Sequence, residues 1–403
     1  MIFNMLKIYL KKTLMYKIKN TGEYQSIIKI FLKILKNKPV GHHDPLFVGN
    51  EKKYLNHCIK TGYVSYVGKY VSDFEKRIAN FTKSKFVVAT SSGTSALHLV
   101  LKYFNLGMND EVLLPSLTYV ATANAIKYCN SSPNFIDIER ENLGICPYKL
   151  ENYLKRISIK KGKFTFNKKT GKKIKALIAV HLYGFPCQIL RIKKICKKYN
   201  IILIEDAAEA FSSFYKKKHL GTYSEAGVLS FNGNKTITCG SGGAILTNNK
   251  KMAKKLKHLS THAKVNDLFD HIHDDIGYNY RMSNLSAAVG CAQIEKIKKI
   301  VMAKRKNFNF YNRAFKKNKI IKIYKEPKFS FCNYWLITAF LKKPELKKKL
   351  LKFFKLRGYG FRTVWRPLHS LKIFKDCPRD SMSISNEIFR KTINLPSSAS
   401  ISL

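Results

Sequence analysis

Lys235 stands apart in a chain whose 403 residues include 75 Lys and Arg. Most of those cations lie in runs, as in KKMAKKLKH or ELKKKLLKFFK. Lys235 instead follows Phe231, Gly233 and Asn234 in SFNGNKTITCGSGGAI (230–245). A lysine with few solvating neighbours has its neutral amine favoured, and a neutral amine condenses with an aldehyde. Two earlier stretches carry complementary chemistry. IEDAAEA places Glu205 and Asp206 after four apolar residues, where a carboxylate is costly unless something pairs with it. SSGTSALHL puts Gly93 and Thr94 at the start of a helical pattern, where unpaired N–H groups and the helix dipole favour an anion.

Each stretch has a plainer reading. Ser-Gly-Thr is an ordinary helix cap, a strand-end acid also suits a salt bridge, and a lone lysine also suits a surface turn. Their order along the chain favours one combined reading. A phosphate-holding loop, a strand-end acid and then a lysine form the inventory of a pyridoxal 5′-phosphate site. The lysine takes the aldehyde, Asp206 pairs the pyridinium nitrogen, and loop amides hold the phosphate, with Ser230 adding a hydroxyl.

The elements that must position these groups alternate. KFVVAT (85–90), EVLLPS (111–116), NFIDI, IKALIAVHLYG (174–184), NIILIEDAA (200–208), GVLSFN and GAILT read as strands separated by helical patterns. That alternation predicts a mainly parallel sheet covered on both faces, which binds ligands at the carboxyl ends of its strands. After a helical stretch at 283–316, NYWLITAFL (strand), PELKKKLLKFFKLRG (helix) and FRTVW (strand) suggest a smaller α/β domain. The expected divisions are a basic N-terminal extension at 1–40, a large α/β domain at 41–300 and a small one at 301–403. In the extension, Ile27, Ile30, Phe31, Ile34 and Leu35 share one helix face, suited to docking on the protein or on a membrane surface, with the protein preferred.

The net charge of +50 is dispersed along the chain, and so reads as lysine-rich solvated faces rather than a polyanion-binding tail. No stacked-aromatic or recognition-helix pattern supports nucleic-acid binding. The nine cysteines lack metal-site spacing, and reduced thiols in a cytoplasmic protein are expected. No stretch is long and apolar enough to span a bilayer. His271, His273, Asp274 and Asp275 in HIHDD are metal-compatible, but a polar loop is preferred and no metal is expected.

From about residue 44 to residue 398 the chain resembles the sugar-nucleotide aminotransferases of the DegT–StrS group. The resemblance is carried by GNEKKYL, TGYVSYVGKYVSDFE, SSGTSALHL, PSLTYVATANAI, VHLYGFP, IEDAAEAF, SFNGNKTITCGSGGAILT, IGYNYRMSNLSAAVGCAQIE and NLPSS. It implies the type I pyridoxal-phosphate fold, with a large, mainly parallel seven-stranded-type sheet domain and a smaller C-terminal α/β domain. It also implies roles. Lys235 becomes the Schiff-base lysine and proton shuttle, Asp206 the partner of the ring nitrogen, and Tyr119 a stacking ring. Gly93, Thr94 and Ser230 hold the phosphate, and Glu209 lies beside the ring. Asn279 reaches the phosphate of a neighbouring subunit, which implies a homodimer with shared active sites. His181 and Tyr183 occupy positions of substrate contact, although satisfied strand-end packing is an equal alternative.

The activity so implied moves an amino group, by family analogy from glutamate, to C4 of a 4-keto-6-deoxy nucleotide sugar such as a UDP-linked N-acetylhexosamine. GYVSYVGKYV, FNGNK and RPLH suggest the branch serving bacillosamine- and legionaminic-type surface glycans. Action at C3 or on a GDP or dTDP sugar is the nearest alternative. A pyridoxal-phosphate sugar dehydratase has His where Lys235 stands.

Overall fold

A computed structural model describes residues 22–402; residues 1–21 of the expected extension lie outside the described residues. Seven strands make the main path of the large sheet: β1 (Phe86–Thr90), β2 (Asp110–Pro115), β3 (Ser132–Ile136), β4 (Lys173–Val180), β5 (Ile202–Asp206), β6 (Ala226–Ser230) and β7 (Gly243–Thr247). Their order is β1-β7-β6-β5-β4-β2-β3, and a hairpin of Ser158–Lys161 and Phe164–Asn167 beside β4 brings the sheet to nine strands. The pairings from β3 through β2, β4 and β5 to β6 are parallel, while β7 runs antiparallel to both neighbours. The expected α/β architecture is therefore present. The hairpin had escaped the sequence reading because Ser158–Lys161 is largely exposed and shows no apolar alternation.

Side-chain alternation sets what each face of the sheet carries. Leu177, Leu203, Leu229 and Leu246 enter one core, against helices Lys69–Thr82, Pro147–Ile157, Ile189–Lys198 and Asn284–Glu295. Ile178, Ile204, Val228 and Ile245 enter the other, against helices Gly93–Tyr103, Val120–Tyr128 and Lys250–Leu259. Continued to the end of β5, the same period sends Glu205 to the side of Leu203 and Asp206 to the side of Ile204.

The second region is built on an antiparallel sheet of β8 (Ile321–Ile323), β9 (Ile337–Leu341), β10 (Arg362–Thr363) and β11 (Thr392–Leu395), in the order β8-β9-β11-β10. Helix Ile297–Ala314 joins the two regions. Ile300 and Val301 pack in the large core, while Phe308 and Tyr311 pack in the small one.

Helix Gly22–Ile34 closes the small core. Ile27, Ile28, Phe31 and Leu35 are buried there, and the Phe31 ring lies 4.7 Å from that of Phe315 and 5.1 Å from that of Phe361. Burying one such ring contributes about 1.5–3 kcal/mol. The apolar face in the extension thus docks on the protein itself. Residues 40–44 continue as a strap, with Gly360 N–H donating to the Val40 carbonyl and Asp44 N–H donating to Ser398 Oγ. Among the described residues no helix is long and apolar enough to cross a membrane.

Candidate active site

At the carboxyl ends of β5 and β6 lies a cavity of about 410 Å³. Asp206 forms part of its floor and is 5% exposed. One carboxylate oxygen accepts from Thr122 Oγ1 at 2.8 Å, and the other accepts from Ala208 N–H at 3.1 Å. Each oxygen keeps a further lone pair for a donor in the cavity.

Gly93, Thr94 and Ser230 line the same cavity, joined by Ser92, Asn232, Ser241 and Gly242. Ser92 caps helix Gly93–Tyr103 reciprocally with Ser95, each side chain accepting from the other's N–H at 3.0 Å. The cap leaves the N–H groups of Gly93 and Thr94 at the first turn without helical partners. Space at this turn is tight. A Cβ on Gly93 would lie 3.0 Å from Ser230 Cβ, and one on Gly243 would lie 2.4 Å from the Ser92 carbonyl oxygen. Glycines therefore let the loop and the sheet end approach closely enough to form one anion-binding corner.

Lys235 enters from a turn closed by its own N–H donating to the Asn232 carbonyl at 2.9 Å. Its side chain is 12% exposed, with Nζ 4.0 Å above the Trp335 ring and 3.8 Å from Glu209 Oε1. Burial pulls the Lys235 amine below the usual lysine range, against the opposing pull of Glu209 and Asp206. Burial also raises the Glu209 carboxyl, opposed by Lys235 and by the Tyr183 N–H, which donates to it at 2.7 Å. Both shifts run toward the uncharged forms, and each is opposed by the other member of the pair.

Asn333 ties this turn to the rest of the site. Its amide donates to the Glu209 and Phe211 carbonyls and to Thr236 Oγ1, and its side-chain oxygen accepts from Trp335 N–H. Trp335 Nε1 in turn donates to the Asn234 carbonyl at 2.6 Å. Trp335, Trp365 and Arg362, all from the C-terminal region, make the opposite wall, and half-exposed Tyr119 lies 5.2 Å from the Trp365 ring. The sequence reading missed these three wall residues and Asn333. NYWLITAFL and FRTVW had registered only as strands.

Of the residues expected at the site, Gly93, Thr94, Tyr119, Asp206, Glu209, Ser230 and Lys235 share the cavity. His181 and Tyr183 do not. His181 is fully buried, with Nε2 3.0 Å from Glu205 Oε1 and Nδ1 3.3 Å from the Cys187 nitrogen, so neither ring nitrogen remains for substrate. Tyr183 is also fully buried, and its hydroxyl accepts from Trp365 N–H at 3.1 Å. The expected substrate contacts are corrected to packing behind the wall. Asn279 is exposed, bridges to Thr261 and does not line this cavity. In the HIHDD segment, Asp274 engages His258, Asp275 engages Lys255, and His273 Nδ1 bonds the His262 carbonyl. Among the described residues no three metal-ligating groups converge.

The donor set suits pyridoxal 5′-phosphate. A helix N-terminus with added hydroxyls would meet the phosphate, an anchored carboxylate would meet a protonated ring nitrogen, and an amine pulled below the usual lysine range would meet an aldehyde.

Residues 47–403 match the DegT/DnrJ/EryC1/StrS aminotransferase family. The chain is 34% identical over 365 residues to the GDP-perosamine synthase of Escherichia coli O157:H7, covering 89% of this chain and 93% of that protein. It is 32% identical over 316 residues to the UDP-4-amino-4,6-dideoxy-N-acetyl-beta-L-altrosamine transaminase of Campylobacter jejuni, covering 76% and 79%. Helicobacter pylori PseC, an aminotransferase involved in the biosynthesis of pseudoaminic acid, has the same fold. Its TM-score is 0.80 at 23% identity, covering 90% of this chain and 94% of that one. These similarities do not support the bacillosamine- and legionaminic-type branch in particular.

Proposed function

The chain belongs to the DegT/DnrJ/EryC1/StrS aminotransferase family, whose sugar aminotransferases depend on pyridoxal phosphate, and from that premise we propose that it transfers an amino group from glutamate to C4 of a 4-keto-6-deoxy nucleotide sugar. A GDP-linked hexose is the first choice of acceptor, because the E. coli relative is named for a GDP sugar. A UDP-linked N-acetylhexosamine is the second, supported by the C. jejuni relative, whose name also carries the 4-amino-4,6-dideoxy pattern. The observation that carries amino transfer is the Lys235 amine, 3.8 Å from Glu209 Oε1, in one cavity with Asp206 and the N-terminus of helix Gly93–Tyr103.

The cofactor, when bound, supplies a carbonyl carbon that accepts the amino group and a cationic ring that draws electrons from the donor's Cα. Asp206, fixed by Thr122 and Ala208, would stay ionised and accept a hydrogen bond from the protonated ring nitrogen, which would keep that ring cationic. The N–H groups of Gly93 and Thr94, with the Ser230 hydroxyl, would hold the phosphate. Tyr119 and Glu209, which line the same cavity, would respectively cover one face of the ring and lie beside it. Lys235 Nζ takes the proton from the donor's Cα, and in the second half-reaction delivers one to sugar C4. Lowering its pKa toward neutrality makes the same atom an effective base and then an effective acid. Asn279, exposed in its own chain, serves the cavity of a second copy in a homodimer. Work on a nucleotide sugar and a free amino acid suits a cytoplasmic setting.

The test is incubation of the cofactor-loaded protein with glutamate and each keto sugar, followed by mass and NMR analysis of the product. A 4-amino-GDP sugar is expected. Amination only of the UDP sugar, or at C3, would replace the proposed acceptor, and no amination of any keto sugar would sink the reading.

A further inference from the structure

Amino transfer requires the Lys235 amine to take up a proton and later give one back, so its ammonium form must persist in the cavity between the two events. A buried ammonium is costly unless something receives it. The carboxylates that pull on Lys235 are Glu209 and Asp206. Glu209 Oε1 stands 3.8 Å from Nζ, longer than an ordinary hydrogen bond. Asp206 is already engaged by Thr122 and Ala208. Besides these, the titratable groups of the lining are Arg362, on β10, and Tyr119. The Trp335 ring answers the need differently, with its centroid 4.0 Å from Nζ. The negative face of an indole attracts a cation, most strongly where water is excluded, and Trp335 is 1% exposed.

The indole is fastened to the lysine's own turn. Trp335 Nε1 donates to the carbonyl of Asn234, the residue before Lys235, and Trp335 N–H donates to Asn333 Oδ1 at 2.8 Å. Asn333 in turn donates to Oγ1 of Thr236, the residue after Lys235, at 3.0 Å. Both chain neighbours of Lys235 are thus tied to the segment that carries the ring. From behind, buried Lys304 donates to the Trp335 carbonyl at 3.0 Å and to the Ser397 carbonyl at 2.7 Å. The rings of His43 and Tyr183 each lie 6.2 Å from the indole. Burial pushes His43 and Lys304 well below their usual ranges, the direction that removes rival cations from the indole.

We infer that Trp335 is a positioning residue for amino transfer: the face of its indole receives the Lys235 ammonium and holds it until its proton is delivered. This rests on the amino-transfer reading above. A ring face suits the task better than a carboxylate in contact would, because it stabilises the cation less and so still lets the proton go.

Fluorine withdraws charge from the face of an indole while keeping its shape and its Nε1 donor. The chain has two tryptophans, so in a Trp365→Phe background labelling with mono- and then difluorotryptophan marks Trp335 alone. Trace acetylation of the cofactor-free protein with acetic anhydride, read at the Lys235 peptide by mass spectrometry, gives the pH midpoint of that amine without any turnover. Relative to the unlabelled protein, the midpoint should fall by about 0.4–1.5 pH units in Trp335→Leu, and by a graded fraction of that with one and two fluorines. The acid limb of the glutamate half-reaction on the loaded protein should move the same way. A midpoint that stays put or rises on fluorination overturns the proposal, even where Trp335→Leu titrates differently, because the indole would then act through its shape alone. If fluorination lowers the midpoint but the loaded protein aminates no keto sugar, the proposed function fails while the ammonium dock stands.

Discussion

Glu205 and Asp206 are adjacent, end the same strand and are both buried, yet they stand in opposite kinds of surroundings. Glu205 accepts from the N–H groups of Gly221, Tyr223 and Ser224, from Ser224 Oγ, and pairs with His181. Its acceptor capacity is used up inside the protein. Asp206 has two donors from the protein and faces a cavity. The nearby cations differ in the same way. Burial disfavours a charged His181, but its contacts with Cys187 and Glu205 outweigh that and raise it to about 10, while Lys235 is pushed toward the free amine. A saturated carboxylate with a charged partner stabilises the fold. An unsaturated one beside an amine held below its usual range keeps capacity for a ligand.

Breaking the cavity side should remove activity and spare the fold. Lys235→Ala is expected to lower turnover by at least about 10⁴-fold, with unchanged circular dichroism and no pyridoxyl peptide after borohydride treatment. Asp206→Asn should follow, with a loss of roughly 10³-fold in kcat because the ring nitrogen loses its ionic partner. Chemical denaturation should show little change for either variant.

Breaking the opposite side should invert the pattern. Glu205→Gln leaves His181 buried without its counter-charge and is expected to cost about 3–5 kcal/mol of stability, read by denaturant unfolding. That gap depends on pH. Burial opposes the ionised form of Glu205, but His181, Gly221 and Ser224 hold it below its usual range, so its contribution is present above the unfolded value and lost as pH falls through the folded one. His181, raised to about 10, contributes fully below its unfolded value and loses that contribution as pH rises through about 10. The difference in melting temperature between wild type and Glu205→Gln should therefore be widest between about pH 5 and 6.5 and shrink toward pH 10. A flat difference would show that the pair is uncharged.

The smallest change sharpens the comparison from within the cavity. Glu209→Gln removes a carboxyl that opposes the lowering of Lys235. The acid limb of the kcat/KM profile should move to lower pH by less than about one unit, with kcat within about tenfold of wild type.

The large-sheet half of the site was legible because local rules bring it together. Strand ends of a parallel sheet point one way, so residues at those ends converge however far apart they lie in the chain. Gly93, Asp206, Ser230 and Lys235 were found on that basis, with the family resemblance adding Tyr119 and Glu209. The small-sheet half obeys no such rule. Trp335 follows a loop knotted by Asn333, and Arg362 sits on a two-residue strand. Nothing in NYWLITAFL or FRTVW says which side chain faces the other region, since that depends on contacts across more than a hundred residues. His181 shows the reverse error. Its position after a strand resembled a site position, but the chain turns it beneath the floor toward Glu205.

By itself the sequence determined the alternating strands and helices, and with them the amine, the carboxylate and the anion-binding loop at one sheet edge, because those depend on side-chain period and glycine placement. Only the tertiary structure decided which acid faces the cavity and which is consumed by its surroundings. It also decided that a cation of the distant antiparallel sheet and two indoles flanking its strands close the wall. Burial and pairing are properties of packed neighbours, and the order of residues along a chain does not contain them.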